Sequence, residues 1–143
     1  TLSLHDALPI SISGFISVVF LSKLFGLTDV LIKSLMPKSI TTPIGIALSK
    51  QLGGLQSITV VAIIITGIIG SIVGPFLYKI FKINDKVALG IAMGSSAHAL
   101  GTARAMEIGE VEGAMSGLTM AISGVMTVLL YPLLWKIFLK LFC

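Results

Sequence analysis

Residues 58–81 read ITVVAIIITGIIGSIVGPFLYKIF, a run with no charge before Lys79. A stretch this long and this apolar is enough to cross a bilayer, which takes about 20 residues of helix. The rest of the chain has the same character. It is 55% hydrophobic and 11% charged, with a mean hydropathy of +1.07. An ordinary soluble domain carries about 25% charged residues. Ten Lys+Arg and six Asp+Glu among 143 residues are too few to clothe a soluble fold. The composition excludes a soluble enzyme, a nucleic-acid binder and a disordered segment, and leaves an integral membrane protein. Fifteen glycines against 7% aromatics suit close helix packing in lipid. The net charge of +4 is a topology signal, because the lysines sit at the ends of apolar runs. Cys143 is the one cysteine, so no internal disulfide forms, and no cluster of metal ligands stands out. No cofactor is expected. The motifs GxSxG, Walker loop and CxxC are absent, and no enzyme is expected.

Working outward from that run, the chain alternates. Residues 10–25 are apolar. Residues 31–52 are interrupted by Pro37-Lys38-Ser39-Ile40-Thr41-Thr42-Pro43. After 58–81 comes a polar joint, Lys82-Ile83-Asn84-Asp85-Lys86. Residues 87–109 are interrupted by Gly94-Ser95-Ser96-Ala97-His98-Ala99-Leu100-Gly101-Thr102, and 114–138 are apolar again. The expected fold is all-α: a polytopic integral membrane helix bundle with two discontinuous helices. An offset of 57 residues relates its two parts, with eight identities between 38–81 and 95–138. Five fall where Pro75-Phe76-Leu77-Tyr78-Lys79-Ile80-Phe81 meets Pro132-Leu133-Leu134-Trp135-Lys136-Ile137-Phe138. The same offset sets Ser39 on Ser96, Thr41 on His98 and Gly67 on Gly124. This predicts an internal repeat. Residues 1–11, opening TLSLHDALPI, resemble translated adaptor sequence, so His5 and Asp6 receive no functional weight. Residues 12–143 are expected to be one transmembrane domain, the C-terminal part of a longer protein.

Charge gives two arrangements. If the broken segments cross the membrane, Lys79, Lys82, Lys86, Lys136 and Lys140 share a side opposite Glu107, Glu110 and Glu112, and only Lys50 disagrees. If they are re-entrant hairpins, the repeats are inverted and the two lysine groups separate. The charges favour crossing, with the C-terminus cytoplasmic.

Broken helix is tolerated in hydrocarbon only where protein or a wet cavity covers it, and paired breaks point to a transporter's binding site. At the first break Thr42 is the expected N-cap with Pro43 at N1. The half-helix that follows offers free N–H groups and a positive dipole end to an anion. At the second, Gly94 and Gly101 permit irregular backbone, with a half-helix from about Thr102 to Met106. Lys38, His98 and Arg104 are the ionisable groups near the breaks, and neither break holds an acid. That inventory favours a small carboxylate. The expected site comprises Lys38, Ser39, Thr41, Thr42, Ser96, His98, Thr102 and Arg104. Plainer roles exist for several of them. Lys38 snorkels, Arg104 pairs with Glu107 three residues on, His98 hydrogen-bonds a neighbouring helix, and the serines satisfy loosened backbone. Gly67, Gly70, Gly74 and the methionines read as packing. Tyr78, Tyr131 and Trp135 suit interfacial anchoring, with Tyr131 deeper.

The string Leu35-Met36-Pro37-Lys38-Ser39-Ile40-Thr41-Thr42-Pro43-Ile44 resembles the PKS(V/I)TTPI signature of the LrgB/CidB membrane-protein family. Residues 94–105 are similar to its second signature, SH-x-(I/L)-GTARA, although Ala97 stands between Ser96 and His98. The resemblance covers residues 12 to the C-terminus. It implies a bacterial plasma (inner) membrane protein acting with an LrgA/CidA-type membrane partner. It also implies one of two roles: an antiholin-like modulator of murein hydrolase export and autolysis, or a carrier of small monocarboxylates such as pyruvate or glycolate. The expected partners are therefore the lipid bilayer, a small organic anion, that membrane partner and a second copy, with no nucleic acid.

Overall fold

The structure, a computed structural model, describes residues 4–142, and among them every regular element is helical. The order is α1 (Leu4–Leu24), α2 (Asp29–Leu35), a 3-10 turn (Met36–Ser39), α3 (Thr42–Leu52), α4 (Gln56–Ile80), α5 (Lys86–Ile108) and α6 (Glu110–Phe142). α4 and the Glu110–Lys140 part of α6 are long and apolar enough to span a membrane; the apolar stretch of α1, Leu8–Leu24, is shorter. The outward face of α4 carries Ile65, Ile69, Ile72 and Phe76, each more than half exposed.

Both interrupted segments fold back on themselves. In α5 the reversal sits at one residue, His98, with φ 47° and ψ −122°. A Cβ built on Gly101 would collide with the Met93 carbonyl eight residues earlier, and Leu89, Met93 and Ala105 share one buried cluster with Tyr78 against it. In a straight helix Leu89 and Ala105 would stand about 24 Å apart at 1.5 Å per residue. α5 is therefore a helical hairpin whose arms, 86–97 and 99–108, are each about 15–18 Å long, half of a hydrocarbon core of about 30 Å. The first break is built the same way from separate helices. The Leu55 N–H donates to Ser34 Oγ at 2.7 Å, the Thr59 hydroxyl donates to the Ser34 carbonyl at 2.7 Å, and the Thr59 and Ser49 hydroxyls bond at 2.7 Å. This network, centred on the fully buried Ser34, Ser49 and Thr59, ties the last turn of α2, the end of α3 and the start of α4 together, at about 1 kcal/mol per bond. α3 ends on Gly53, left-handed at φ 79°. The Gly53 and Gly54 N–H groups return to Lys50 O and Ser49 O, a Schellman cap. A Cβ on Gly54 would come within 2.9 Å of Ser34 N and Lys33 C, so only glycine lets the chain pass there.

The arms are held by close packing of small residues. Gly67 faces Leu100 and Ala97, Gly70 faces Ala97, and Gly74 faces Met93, so the glycines of α4 are packing residues as the sequence suggests. Gly90 and Gly94 bring the first arm of α5 against Glu112 and Ser116 of α6. Ser116 also bonds Thr102 on the second arm at 2.9 Å. A second core joins Phe15, Val18 and Val19 of α1 to Ile32, Met36, Ile40 and Leu48 of the first hairpin and to Tyr131 and Trp135 of α6. Phe15 meets Tyr131 edge-on at 5.4 Å, and Lys33 lies 5.5 Å above Trp135.

Several expectations need correcting. The broken segments do not run from end to end. Residues 79–86 and 107–112 lie at the same end of the bundle, because charge bias cannot see the backbone reversal that glycine packing and the His98 turn impose. Gly94 and Gly101 are helical; they serve the close approach while His98 carries the irregular backbone. The N-cap of α3 is Thr41, with Thr42 first in the helix and Pro43 second, still inside the first turn where its missing N–H costs nothing. Trp135 is buried core rather than an interfacial anchor, and Tyr131 is deep, its hydroxyl donating to the Ser11 carbonyl at 3.2 Å.

Two stability measurements in detergent micelles follow. Gly101→Ala drives a methyl into the Met93 carbonyl and is expected to cost about 1–3 kcal/mol. The φ and ψ of His98 match those of the first central position of a type II′ turn, where glycine is the preferred residue. His98→Gly is therefore expected to raise stability by about 1 kcal/mol through relief of backbone strain; a loss would mean that ring contacts outweigh the strain.

Candidate functional site

The two hairpin tips meet beside the middle of α4. Ile40, Thr41 and Thr42 from the first, and Ala97, His98, Ala99 and Leu100 from the second, line a cavity of about 430 Å³ closed by Ile63, Ile64, Gly67 and Ile68. Its wall is mainly apolar, and its polar points are few. Thr41 has extended backbone, φ −67° and ψ 148°, and caps α3 without a side-chain hydrogen bond. The first turn of α3 thus presents backbone donors beside two threonine hydroxyls. Across from it His98 is only 3% exposed, and neither ring nitrogen has a partner. The plainer reading, an interhelical hydrogen bond from His98, is not what the structure contains. A buried imidazole without a bond is costly, and here it sits on a strained turn facing a helix N-terminus.

A second cavity, about 400 Å³, lies on the other side of the same tips, against α1 and α6. Its wall includes Ser11, Ser39, Ser95, Ser96, Ser123 and Thr127. Ser95 and Ser96 donate to the Ala92 carbonyl at 3.2 and 2.6 Å, which is the local backbone role weighed for them. Ser11 Oγ and Ser123 Oγ are buried without partners. Lys38 is half-buried in an adjoining space with Ser17 and Ser22, and its ammonium donates to Ser39 Oγ at 3.2 Å.

The eight expected site residues are thus sorted into three groups. Thr41, Thr42 and His98 share the cavity beside α4. Lys38, Ser39 and Ser96 lie at or beside the hydroxyl-lined chamber. Thr102 and Arg104 line neither. Thr102 is buried against Ser116, and Arg104 points outward in an ion pair with Glu107, because both follow the turn by enough residues to face away from the tip. Sequence reasoning missed the Ser34–Ser49–Thr59 network and the contribution of Ser11, Ser123 and Thr127. Isolated hydroxyls in apolar helices carry no spacing signal, and only the fold brings them together.

The comparisons with known proteins agree on one family. The model of the LrgB-like family matches residues 6–137. The chain is 41% identical over 125 residues to Uncharacterized protein YxaC of Bacillus subtilis, covering 87% of this chain and 54% of that one. It is 39% identical over 122 residues to Antiholin-like protein LrgB of Bacillus subtilis, 85% of this chain and 53% of the relative. It is also 39% identical over 125 residues to Holin-like protein CidB of Staphylococcus epidermidis, 87% and 55%. The chain spans about half the length of the curated relatives it matches. No solved structure matches it. A family match across nearly all described residues, with apolar helices of spanning length, makes this a membrane protein that belongs to the LrgB-like family.

Proposed function

We propose that this chain is part of a carrier for a small organic anion of the monocarboxylate class, such as pyruvate or glycolate, in the bacterial plasma membrane. The observation that carries the reading is the meeting of the two hairpin tips. They place the α3 N-terminus with Thr41 and Thr42 opposite buried, unpartnered His98 in one cavity. An N-terminus supplies donors and positive potential to a carboxylate, His98 supplies a further polar contact, and the apolar wall suits a short carbon chain.

Three lines support two inverted repeats that cross a membrane with α1, α4 and α6. The 57-residue offset relates contacts as well as residues. Thr59 anchors the first hairpin as Ser116 anchors the second, and Gly45 packs on Ile63 as Thr102 packs on Met120. Each tip stops halfway along the helix it packs on. Lys23, Lys33, Lys50, Lys136 and Lys140 gather at the base of the first hairpin with only Asp29 among them, so Lys50 falls into line and the C-terminus is cytoplasmic under the positive-inside rule.

The names of two relatives favour a second reading, an antiholin-like regulator of murein hydrolase export and autolysis that works with an LrgA/CidA-type partner. The two separate by which residues matter. A carrier depends on the tips, whereas a regulator acting through its outer helices tolerates changes there. In liposomes holding this chain, alone and with such a partner, labelled pyruvate or glycolate should accumulate. His98→Ala and Thr41→Val should each reduce uptake by about tenfold, the scale of a lost hydrogen bond to a charged ligand. Arg104→Ala should retain uptake. Absence of uptake with and without the partner, together with unaltered autolysis control by the tip variants in cells, would replace the carrier with the regulator. Topology is tested separately in a Cys143→Ser background. Cysteines at Lys86 and Glu107 should react with a membrane-impermeant maleimide from one side, and a cysteine at Lys140 from the other.

A further inference from the structure

We propose that the hydroxyl-lined chamber between α1, α6 and the two tips is an aqueous vestibule selective for anions, and that Lys38 sets that selectivity. The chamber is distinct from the cavity that holds His98. The tips separate the two spaces, since Ser39 faces one and Thr41 the other, as Ser95 and Ser96 face one and His98 the other. Its contents point to water and a hydrated solute rather than to side-chain packing. Ser123 is 3% exposed, lines the chamber, and leaves its hydroxyl without any protein partner. Such a group is costly in a dry interior. Ser13 and Ser17 donate to the Ile10 and Gly14 carbonyls, each at 3.0 Å, which leaves their oxygens able to accept. The wall therefore offers donors and acceptors together, as water requires.

The sign of the field comes from Lys38. Among the described residues, no Asp or Glu lines the chamber or the adjoining space, which shares Ser17 with it. Lys38 reaches the chamber through Ser39, whose oxygen accepts from the ammonium and whose own proton remains free to donate. A carboxylate-bearing solute entering there meets a positive charge one hydroxyl away. A cation meets that same charge with nothing to offset it.

The test reads the local field and needs no transported solute, so its failure is distinct from failure of the carrier reading. Single cysteines replace Ser17 or Ser96 in a Cys143→Ser background, in nanodiscs that leave both faces open. Each is reacted with an anionic (2-sulfonatoethyl) and a cationic (2-trimethylammonioethyl) methanethiosulfonate. Both positions should react about tenfold faster than Ile72→Cys on the outward face of α4, because the thiolate forms only where water reaches. The anion-to-cation rate ratio should fall by about fivefold in Lys38→Met and be kept in Lys38→Arg, the scale expected when one nearby charge is removed. Lys38→Gln is measured beside Lys38→Met, so that a variant that misfolds does not decide the result. Reaction at Ser17→Cys and Ser96→Cys no faster than at Ile72→Cys would overturn the vestibule. A ratio that Lys38→Met and Lys38→Gln leave unchanged would overturn the role of Lys38.

Discussion

A half-length helix ending inside a membrane protein has backbone groups that the helix itself cannot satisfy, and hydrocarbon offers them nothing. The remaining architecture answers that constraint. Two folded-back segments each carry their ends to the middle of α4, where each tip is covered by the other tip and by a cavity rather than by lipid. α4 and α6 act as posts. Thr59 on one and Ser116 on the other bind the arms through buried hydroxyls. Polar anchors of this kind are worth only about 1 kcal/mol each. They nonetheless fix depth, since a hydroxyl in an apolar surrounding has one place where its bond is made.

Small residues make the reversal possible. A helical hairpin of two antiparallel arms can also pack on two posts only if the backbones approach closely. Gly90 and Gly94 lay the first arm of α5 onto α6, Gly67, Gly70 and Gly74 lay α4 onto the tip and the same arm, and Gly101 lets the arms touch. The first hairpin reaches the same shape by different means, a 3-10 turn and the extended residues Ile40 and Thr41 in place of one strained histidine. The 57-residue offset nonetheless places Thr41 on His98, and both stand where helix resumes.

Much of this was legible in the sequence. Pro37 and Pro43 mark the first break, and the run from Gly94 to Thr102 marks the second, because helix breakers and clustered hydroxyls leave a local signature. That both tips share a cavity followed from treating the breaks as a pair. The direction of the chain after each break did not follow. Lysine placement scored crossing above folding back, and a single backbone turn at a histidine has no compositional signal. Once the chain reverses there, Thr102 and Arg104 face away from the tip. Trp135 was misplaced because an aromatic near a helix end reads as an anchor whether it meets headgroups or Met36 and Ile40. The hydroxyl chamber could not be read at all, since its serines come from four separate stretches.

His98 concentrates the physical argument for a ligand. Its backbone geometry is one that glycine adopts freely and that costs another residue about 1–3 kcal/mol. Its ring nitrogens are buried without partners, an additional cost on the order of 1–3 kcal/mol each. Glycine at this position would make the same turn and incur neither cost. The fold therefore gains no hydrogen bond from an imidazole here, and only the packing of the buried ring opposes its loss. What the imidazole adds is a polar group in the cavity that the N-terminus of α3 also lines. A solute that hydrogen-bonds the ring and accepts from the α3 backbone offsets the cost of the unpartnered nitrogens, and only when it is bound. On the carrier reading proposed above, binding energy at this tip would couple to the relative position of the two hairpins, which is the coupling a carrier needs in order to move with its solute.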